Sequence, residues 1–540
     1  MLRLEHLPAD VLDLPPIARA ALSGRLARAG LSLPRRTDDL APPPAVLDSE
    51  ARDELVRALE LGLAPLTPHV AVLDALRTLK EPRACVVVTG QQPGLCASPL
   101  YSLYKALHAL RLARRLSQAW ERPVVPLFWN HADDHDVAEV HHLHVLNANL
   151  DLQKVGLAGM SSGRQMLSRI VLDEERQRLG AIRALLGDLV RDTPHGERVL
   201  AMLLPRHGES LARAFTRTFT ELLGPLGLVV LEPDWIRPAM TRALARLIEL
   251  EPSSFLDAGS RALRAAGLEP AIDPANAALL FTIDERGRRA LRPGGEGWKY
   301  DDEEGSRTTT ELVAELVQDP LAWSPGALLR PLVQDLCLPV AAYVGGWGEL
   351  AYHAQLAELR LAAGVPATPF VPRISITLVD PETRVALTKV EASVADVLRA
   401  RGEFAVARSQ EPPPPVLARL RAIASSAARD VGALREDLAE LDPSLPVLAR
   451  RTIDQVKGSI ETLAEKAERV HQNKTGKGRR HERRLNNALF PRGEPQERVL
   501  GPLASLARFG DAWLAELAGE LDPFPAEHLV LHLGDDLLVE

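Results

Sequence analysis

The stretch ACVVVTGQQPGLCASPLYSLYKALHALRLARRLSQAWERPVVPLFWNHADDHD, residues 84–136, decides the fold. Its first five residues are a short β-branched run that ends in the loop Thr89-Gly-Gln-Gln-Pro-Gly94. Ser98 and Pro99 read as an N-cap and first-turn pair opening the helix LYSLYKALHALRLARRL. A second apolar run, VVPLFW, then ends at Trp129. Strand, helix and strand within about 45 residues form a βαβ unit. In a parallel sheet both post-strand loops lie at the carboxyl edge, where open α/β sheets bind ligands. Gly90–Gly94 and His131–Asp136 are therefore expected to face one crevice.

Working outward, residues 1–83 read as an N-terminal helical segment with proline punctuation. AVLDSEARDELVRALELGL is its clearest helix. Residues 84–254 form the first part of a Rossmann-type core, with LGLVVLEPD (226–234) as a further strand. Residues 255–325, mixed and rich in glycine and charge, read as an inserted subdomain. Residues 326–410 resume the core through LPVAAYVGG (338–346) and a candidate strand at FVPRISITLVD (370–380). After Glu411-Pro-Pro-Pro-Pro415, residues 411–490 carry two apolar stripes. Leu420, Ile423, Ala427, Val431, Leu434, Leu438 and Leu441 form one, and Ile453, Val456, Ile460, Leu463, Ala467 and Val470 the other. Steps of three and four make the second a heptad seam. A turn at Asp442–Pro446 would fold the pair into an antiparallel coiled-coil hairpin. Residues 491–540 form a C-terminal segment. The expected class is α/β, a Rossmann-type parallel sheet with inserted connecting segments, plus an α-helical antiparallel coiled-coil domain.

Composition narrows the function. The 540 residues suit two to four domains at one per ~150 residues. With 64 basic and 72 acidic side chains the net charge is −8, which argues against a general nucleic-acid or membrane-surface binder. Aromatic residues, at 4%, are too scarce for base-stacking platforms. Cys85, Cys96 and Cys337 form neither a disulfide framework nor a thiolate zinc site. No apolar run has signal-peptide or membrane-spanning length, so a cytoplasmic protein is expected.

Three loops carry candidate chemistry. In TGQQPG the backbone amides of Gly90, Gln91, Gln92 and Gly94, next to a helix N-terminus, suit an anion. The motif matches neither Walker A nor GxGxxG, and a tight strand-to-helix turn explains it equally well. Tyr101, Lys105 and His108 share one helix face, and Lys105 could reach an anion in the loop or simply be solvated. Asn130-His-Ala-Asp-Asp-His-Asp136, followed by Glu139, His141, His142 and His144, gathers five of the fifteen histidines. Such a cluster could act as general base, polarise an amine or bind a metal. Asp134 and His135 are the candidates for catalysis, and no metal ligand set is assigned because the pattern is not HExxH. His141, His142 and His144 read as strand residues. Gly345-Gly-Trp-Gly-Glu349 would complete a glycine-lined wall, and Arg330 could pair with a carboxylate. The basic run Asn473–Arg484 reads as a solvated helix face or a contact for a phosphorylated ligand.

VVTGQQPGLCASPLYSLYKA, PLFWNHADDHDVAEVHHLHVLN, SPGALLRPLVQDLCLPVAAYVGGWGELAYHAQL and NNALFPRGEPQERVLGPLASLARFG together resemble the bacillithiol-biosynthesis cysteine-adding enzymes, the BshC family. The resemblance implies ligation of L-cysteine to the amine of glucosaminyl-malate, an amino-sugar malate, in the last step to a low-molecular-weight thiol. It also implies a homodimer formed through the coiled coil. Likeness of such cores to class I aminoacyl-tRNA synthetases implies carboxylate activation, with ATP or ADP as the expected nucleotide. Thr89–Gly94 falls on the family's GQQ loop, and Tyr101 and Lys105 on its helix. Trp129 closes the strand before its EDHD, on which Asp133, Asp134, His135 and Asp136 fall. Arg330 falls on its LRP, and Gly345, Gly346, Gly348 and Glu349 on its GGPGE. Asp133 shortens the first acid of EDHD, and Trp347 replaces the proline of GGPGE; both bear on the acceptor. A metal-dependent hydrolase and a non-catalytic nucleotide-binding dimer are the alternatives.

Overall fold

The computed structural model describes residues 2–29, 31, 33–44, 47–147, 149–160, 163–294, 297–301, 306–404, 415–442, 445–475 and 480–534. The chain divides into one unit of Met1–Pro381 with Glu494–Glu540, and a second of Glu382–Gly493.

The first unit is built on five parallel strands: β1 (Cys85–Gln91), β2 (Val124–Asn130), β3 (Val229–Leu231), β4 (Val340–Gly345) and β5 (Phe370–Pro372). They lie in the order β5-β4-β1-β2-β3. The chain thus builds from β1 to one side, then returns to build on the other. The boundary between β1 and β4 is the topological switch point of a Rossmann-type sheet. Alternation fixes the faces: Val86 and Val88 enter one hydrophobic core and Cys85 and Val87 another. This explains why β1 reads as a continuous apolar run, since both its faces are covered.

Helix α1 (Leu100–Trp120) connects β1 to β2. Ser98 does not cap it. Pro99 occupies the N-cap without a side-chain bond, and the first helical amide, at Leu100, donates to Leu500 O (2.8 Å). The helix start is thus closed by the C-terminal segment instead of opening onto the GQQ residues. Thr89, Gly90 and Gln91 belong to β1, paired with Phe128, Trp129 and Asn130.

Two other parts differ from expectation. The N-terminal segment opens with a strand, Arg3–Pro8, which pairs antiparallel with Glu527–His532. Its partner lies more than 500 residues away, so local helical patterning gave no sign of it. The candidate strand at 370–380 is two: β5, and Ile376–Val379, which joins Glu527–His532 in that separate three-stranded sheet. The insertion contains a four-stranded antiparallel sheet formed by Trp323–Pro325, Leu280–Asp284, Gly287–Gly294 and Gly297–Tyr300, with the helices Ser253–Ala265 and Thr309–Gln318 beside them in sequence.

The second unit contains Pro415–Ala433, Arg435–Leu441 and Leu445–Thr475, packed as a helical hairpin. An Arg421–Glu468 ion pair (3.4 Å) aligns the two long helices antiparallel. Residues 411–414, which include all of the proline run but Pro415, part of the turn at 443–444 and part of the basic run at 476–479 lie outside the described residues. The predicted stripes divide. Leu420, Ala427, Val431, Leu438, Ile453, Ile460 and Ala467 are half-buried, whereas Ile423, Leu434, Leu441, Val456, Leu463 and Val470 are exposed. Leu417, Ala424 and Ala464 are the most buried apolar positions of the hairpin.

Candidate active site

The sheet opens at its switch point. The last paired residues of β1 and β4 are Val88 and Tyr343. Beyond them the Thr89 hydroxyl donates to Val344 O (2.8 Å), and Gly90 O accepts from Lys105 Nζ (2.7 Å). A Cβ at Gly90 would lie 2.5 Å from Trp129 O and 2.8 Å from His131 Nε2, so only glycine fits. The same ammonium bonds Gln91 Oε1 (3.1 Å) and Glu349 Oε2 (2.5 Å). Glu349 also accepts from Gly346 N (2.7 Å) and Tyr343 Oη (2.5 Å), which fixes the start of the helix Trp347–His353. Tyr101 Oη accepts from Gln91 Nε2 (2.9 Å), completing the loop-to-helix brace.

This crevice is buried and electrically unbalanced. Burial pulls the Lys105 ammonium down, and Glu349 restores it only in part. Burial also opposes ionisation of Glu349, but Lys105 and the Gly346 amide outweigh it and hold the carboxyl below its usual range. Arg373 reaches over the Tyr101 ring (5.0 Å) and pairs with Glu497 (2.7 Å). Arg330, stacked over Tyr343 (5.8 Å), donates to Gln334 from Nη1 (3.0 Å) and lies beside the Tyr352 hydroxyl, while no hydrogen bond of good geometry reaches its buried Nη2. His131 Nε2 is likewise buried and unpartnered. Burial, then Arg330 and Lys105, push that imidazole well below its usual range. Lys105, Arg330 and Arg373 set three cations against the two carboxylates of Glu349 and Glu497. The remaining positive charge and the orphaned donors suit a carboxylate or phosphate.

The acidic loop lies next to this crevice, linked through Gln92. Gln92 Nε2 donates to Asp134 Oδ2 (2.6 Å), and Asp134 Oδ1 accepts from the amides of His135 (2.7 Å) and Asp136 (3.3 Å). Burial and then Asp136 raise Glu139, which adds a further carboxyl at this end. Asp133 is committed within the protein: Arg237 grips both its oxygens. The site also contains a residue from the insertion, Arg288, whose Nη1 lies 3.4 Å from His135 Nδ1.

The structure sorts the sequence candidates. Gly90, Gln91, Tyr101, Lys105, Arg330, Gly345, Gly346 and Glu349 surround the switch point, and Gln92, Asp134, His135 and Asp136 sit beside it. Lys105 is internally committed, so its charge acts through Gln91 and Glu349. Thr89 is a strand brace. Trp129 is a core residue, 1% exposed and packed with Val86, Val88 and Leu231. Gly94 serves geometry, because a Cβ there would collide with Ser98 O. Gly348 is exposed with no neighbour around its Cβ position and forms no wall. His108 is structural, accepting from Ile374 N (3.2 Å) and bonding Pro523 O (2.9 Å). His142 and His144 lie on the hairpin strand His142–Leu146, whereas His141 ends the helical turn Val137–Val140. Among the described residues no group of three or more His, Cys, Asp or Glu is arranged to hold a metal. Sequence reasoning missed Arg237, Arg288, Arg373 and Glu497. Glu497 sat in the quoted stretch NNALFPRGEPQERVLGPLASLARFG and could have been singled out; Arg288 had no signal in its charge-rich segment.

Fold and site together define a Rossmann-like protein whose switch-point crevice suits an anionic small molecule beside an acid–imidazole pair. Residues 44–374 match the family described as bacillithiol biosynthesis BshC, N-terminal Rossmann-like domain, and residues 376–533 match its C-terminal coiled-coil domain. Two similar relatives, from Koribacter versatilis and Geobacillus thermodenitrificans, are 30% and 31% identical. They cover 85% and 86% of this chain and 86% and 87% of their own. A third, from Carboxydothermus hydrogenoformans, is 29% identical over 90% of this chain and 91% of its own. All three bear the name "Putative cysteine ligase BshC". The chain belongs to the BshC family of bacillithiol biosynthesis. Among the described residues no helix is long and apolar enough to cross a membrane.

Proposed function

We propose that this protein is a cysteine ligase that forms an amide between the carboxyl group of L-cysteine and the amine of glucosaminyl-malate. One observation carries the reading: Gln91 and Gln92, adjacent in sequence, join a cation-rich crevice to an acid–imidazole pair. An amide ligase needs both, one to hold carboxylates and one to receive a protonated amine. Arg330 and the orphaned His131 nitrogen hold an anionic group, the malyl carboxylate or a phosphate. Asp134 and Asp136 attract the ammonium, and Asp134 with His135 orients and deprotonates it, since the protonated form cannot attack.

Amide formation from a free carboxylate is uphill in water, so an activating nucleotide is part of the proposal. The surplus cation and unpartnered donors of the crevice fit a phosphate, with Arg330, His131 and the Gly345–Gly346 backbone as the residues to hold it. ATP, when bound, supplies the activation of the cysteine carboxylate. The protein acts as a homodimer through the exposed apolar face of its helical hairpin.

The test is mass spectrometry of reactions containing cysteine and glucosaminyl-malate, with and without ATP. The expected product has the summed mass less water and disappears with Asp134→Asn, which keeps the fold. Unchanged turnover in that variant removes Asp134 from catalysis; an acceptor that binds but yields no product with ATP removes ATP as activator. An acceptor that does not bind overturns the substrate assignment.

A further inference from the structure

Arg288 enters the site from the insertion, on the strand Gly287–Gly294. The turn before it is tightly specified: Gly287 has φ +108°, and a Cβ there would run into the Arg164 carbonyl. The Arg288 amide bonds that same carbonyl (2.7 Å), which fixes where the side chain starts. Arg288 is 7% exposed, and its guanidinium is held on several sides. Nε donates to Ser324 Oγ (3.1 Å), Nη2 to Pro325 O (3.0 Å), and the plane lies over the Phe281 ring (3.8 Å). Its Nη1 points at His135 Nδ1 (3.4 Å). The His135 ring is itself about two-fifths exposed, so the buried cation approaches it from the protein side.

A guanidinium has donors only, so a nitrogen facing it must present a lone pair. Nδ1 of an imidazolium has none. The carboxylate on the same side, Asp134 Oδ1, is farther from Nδ1 at 3.8 Å. We infer that Arg288 is a positioning residue that fixes His135 as the neutral tautomer protonated on Nε2, so that His135 donates a hydrogen bond while Asp134 accepts the proton of the attacking amine. This rests on the reading of Asp134 and His135 as the amine-handling pair, and divides their labour. The groups around the ring pull in opposite directions. Asp134 and Asp136 on its own loop, with Glu139 on the helical turn Val137–Val140 that follows, favour the imidazolium, whereas Arg288 from the insertion opposes it. Asp133 is neutralised by Arg237 of the helix Arg237–Glu249. Burial draws Arg288 down to about 10, which leaves it cationic at neutral pH.

The test is nitrogen-15 NMR of histidine-labelled full-length protein, with His135 assigned through His135→Asn. At neutral pH the expected pattern is a proton on Nε2 and a bare Nδ1. In Arg288→Gln the ring should titrate at higher pH and populate Nδ1–H, with Arg288→Lys restoring part of the original pattern. Turnover in Arg288→Gln should fall on the order of tenfold to a hundredfold. An Nδ1–H ring in the parent protein, or an unchanged ring in a folded Arg288→Gln, overturns the inference. The tautomer is read without substrate, so failure of the ligase assignment is a separate result.

Discussion

At the scale of single residues, Lys105 organises the crevice. It is 2% exposed, and its ammonium ties β1, through Gly90 and Gln91, to the Glu349 carboxylate beyond β4. Removing one member of such a buried pair strands the other charge, typically costing about 3–5 kcal/mol. Lys105→Met should therefore lose that much stability in urea titration, and Lys105→Met with Glu349→Gln should recover part of it. A double variant no more stable than the single one defeats this account, because the stranded carboxylate is its cause. The i, i+4 placement of Tyr101 and Lys105 was legible in the sequence, since both lie one turn apart on a helix that directly follows the loop. That Lys105 is consumed by Gly90 O was not. The carbonyl becomes available only because β1 and β4 part company after Val88 and Tyr343. Arg373 and Glu497 were equally hidden, as their pairing joins positions 124 residues apart.

At the scale of elements, the C-terminal segment closes the helix that carries these residues. Leu500 O takes the first amide of α1, and Pro523 O bonds His108 two turns further on. Glu497 accepts from Ile376 N (2.9 Å), and Gln496 bonds both backbone groups of Leu378. A sequence pattern shows each helix and strand but not such closures, which rest on single side chains meeting foreign backbone. His108 makes one closure measurable. Burial pulls its pKa from 6.5 to about 4, so it is neutral in the fold. Between those values the unfolded chain binds a proton that the folded protein does not, so stability falls as pH drops from 6.5 to 4. The full difference corresponds to about 3 kcal/mol. His528 is drawn down to about 4 in the same way and adds to the slope. His108→Gln should flatten the decline in denaturant midpoint across that window while leaving His528's share. A slope identical to the parent's would show that His108 is not the buried neutral group.

At the scale of the whole molecule, the helical hairpin has more apolar surface than two helices can cover. The sequence showed two stripes and no way to divide them. The structure divides them by position: Val431, Leu438, Ile453, Ile460 and Ala467 are half-buried, while Leu417, Ala424 and Ala464, outside both stripes, are the most buried. Ile423, Leu434, Leu441, Val456, Leu463 and Val470 stay 39–78% exposed. Val456, Leu463 and Val470, seven residues apart, share one helix face, and an exposed apolar stripe of this kind suits association. A second copy of the same hairpin offers a matching stripe, and a two-fold contact is self-complementary. Sedimentation should therefore show a dimer for the full chain. Val456→Glu with Leu463→Glu should shift it to monomer, since each glutamate would have to be desolvated against apolar neighbours. Helicity should be unchanged in that variant, because both side chains are exposed. A monomeric parent protein, or a double variant that stays dimeric, would place the contact elsewhere.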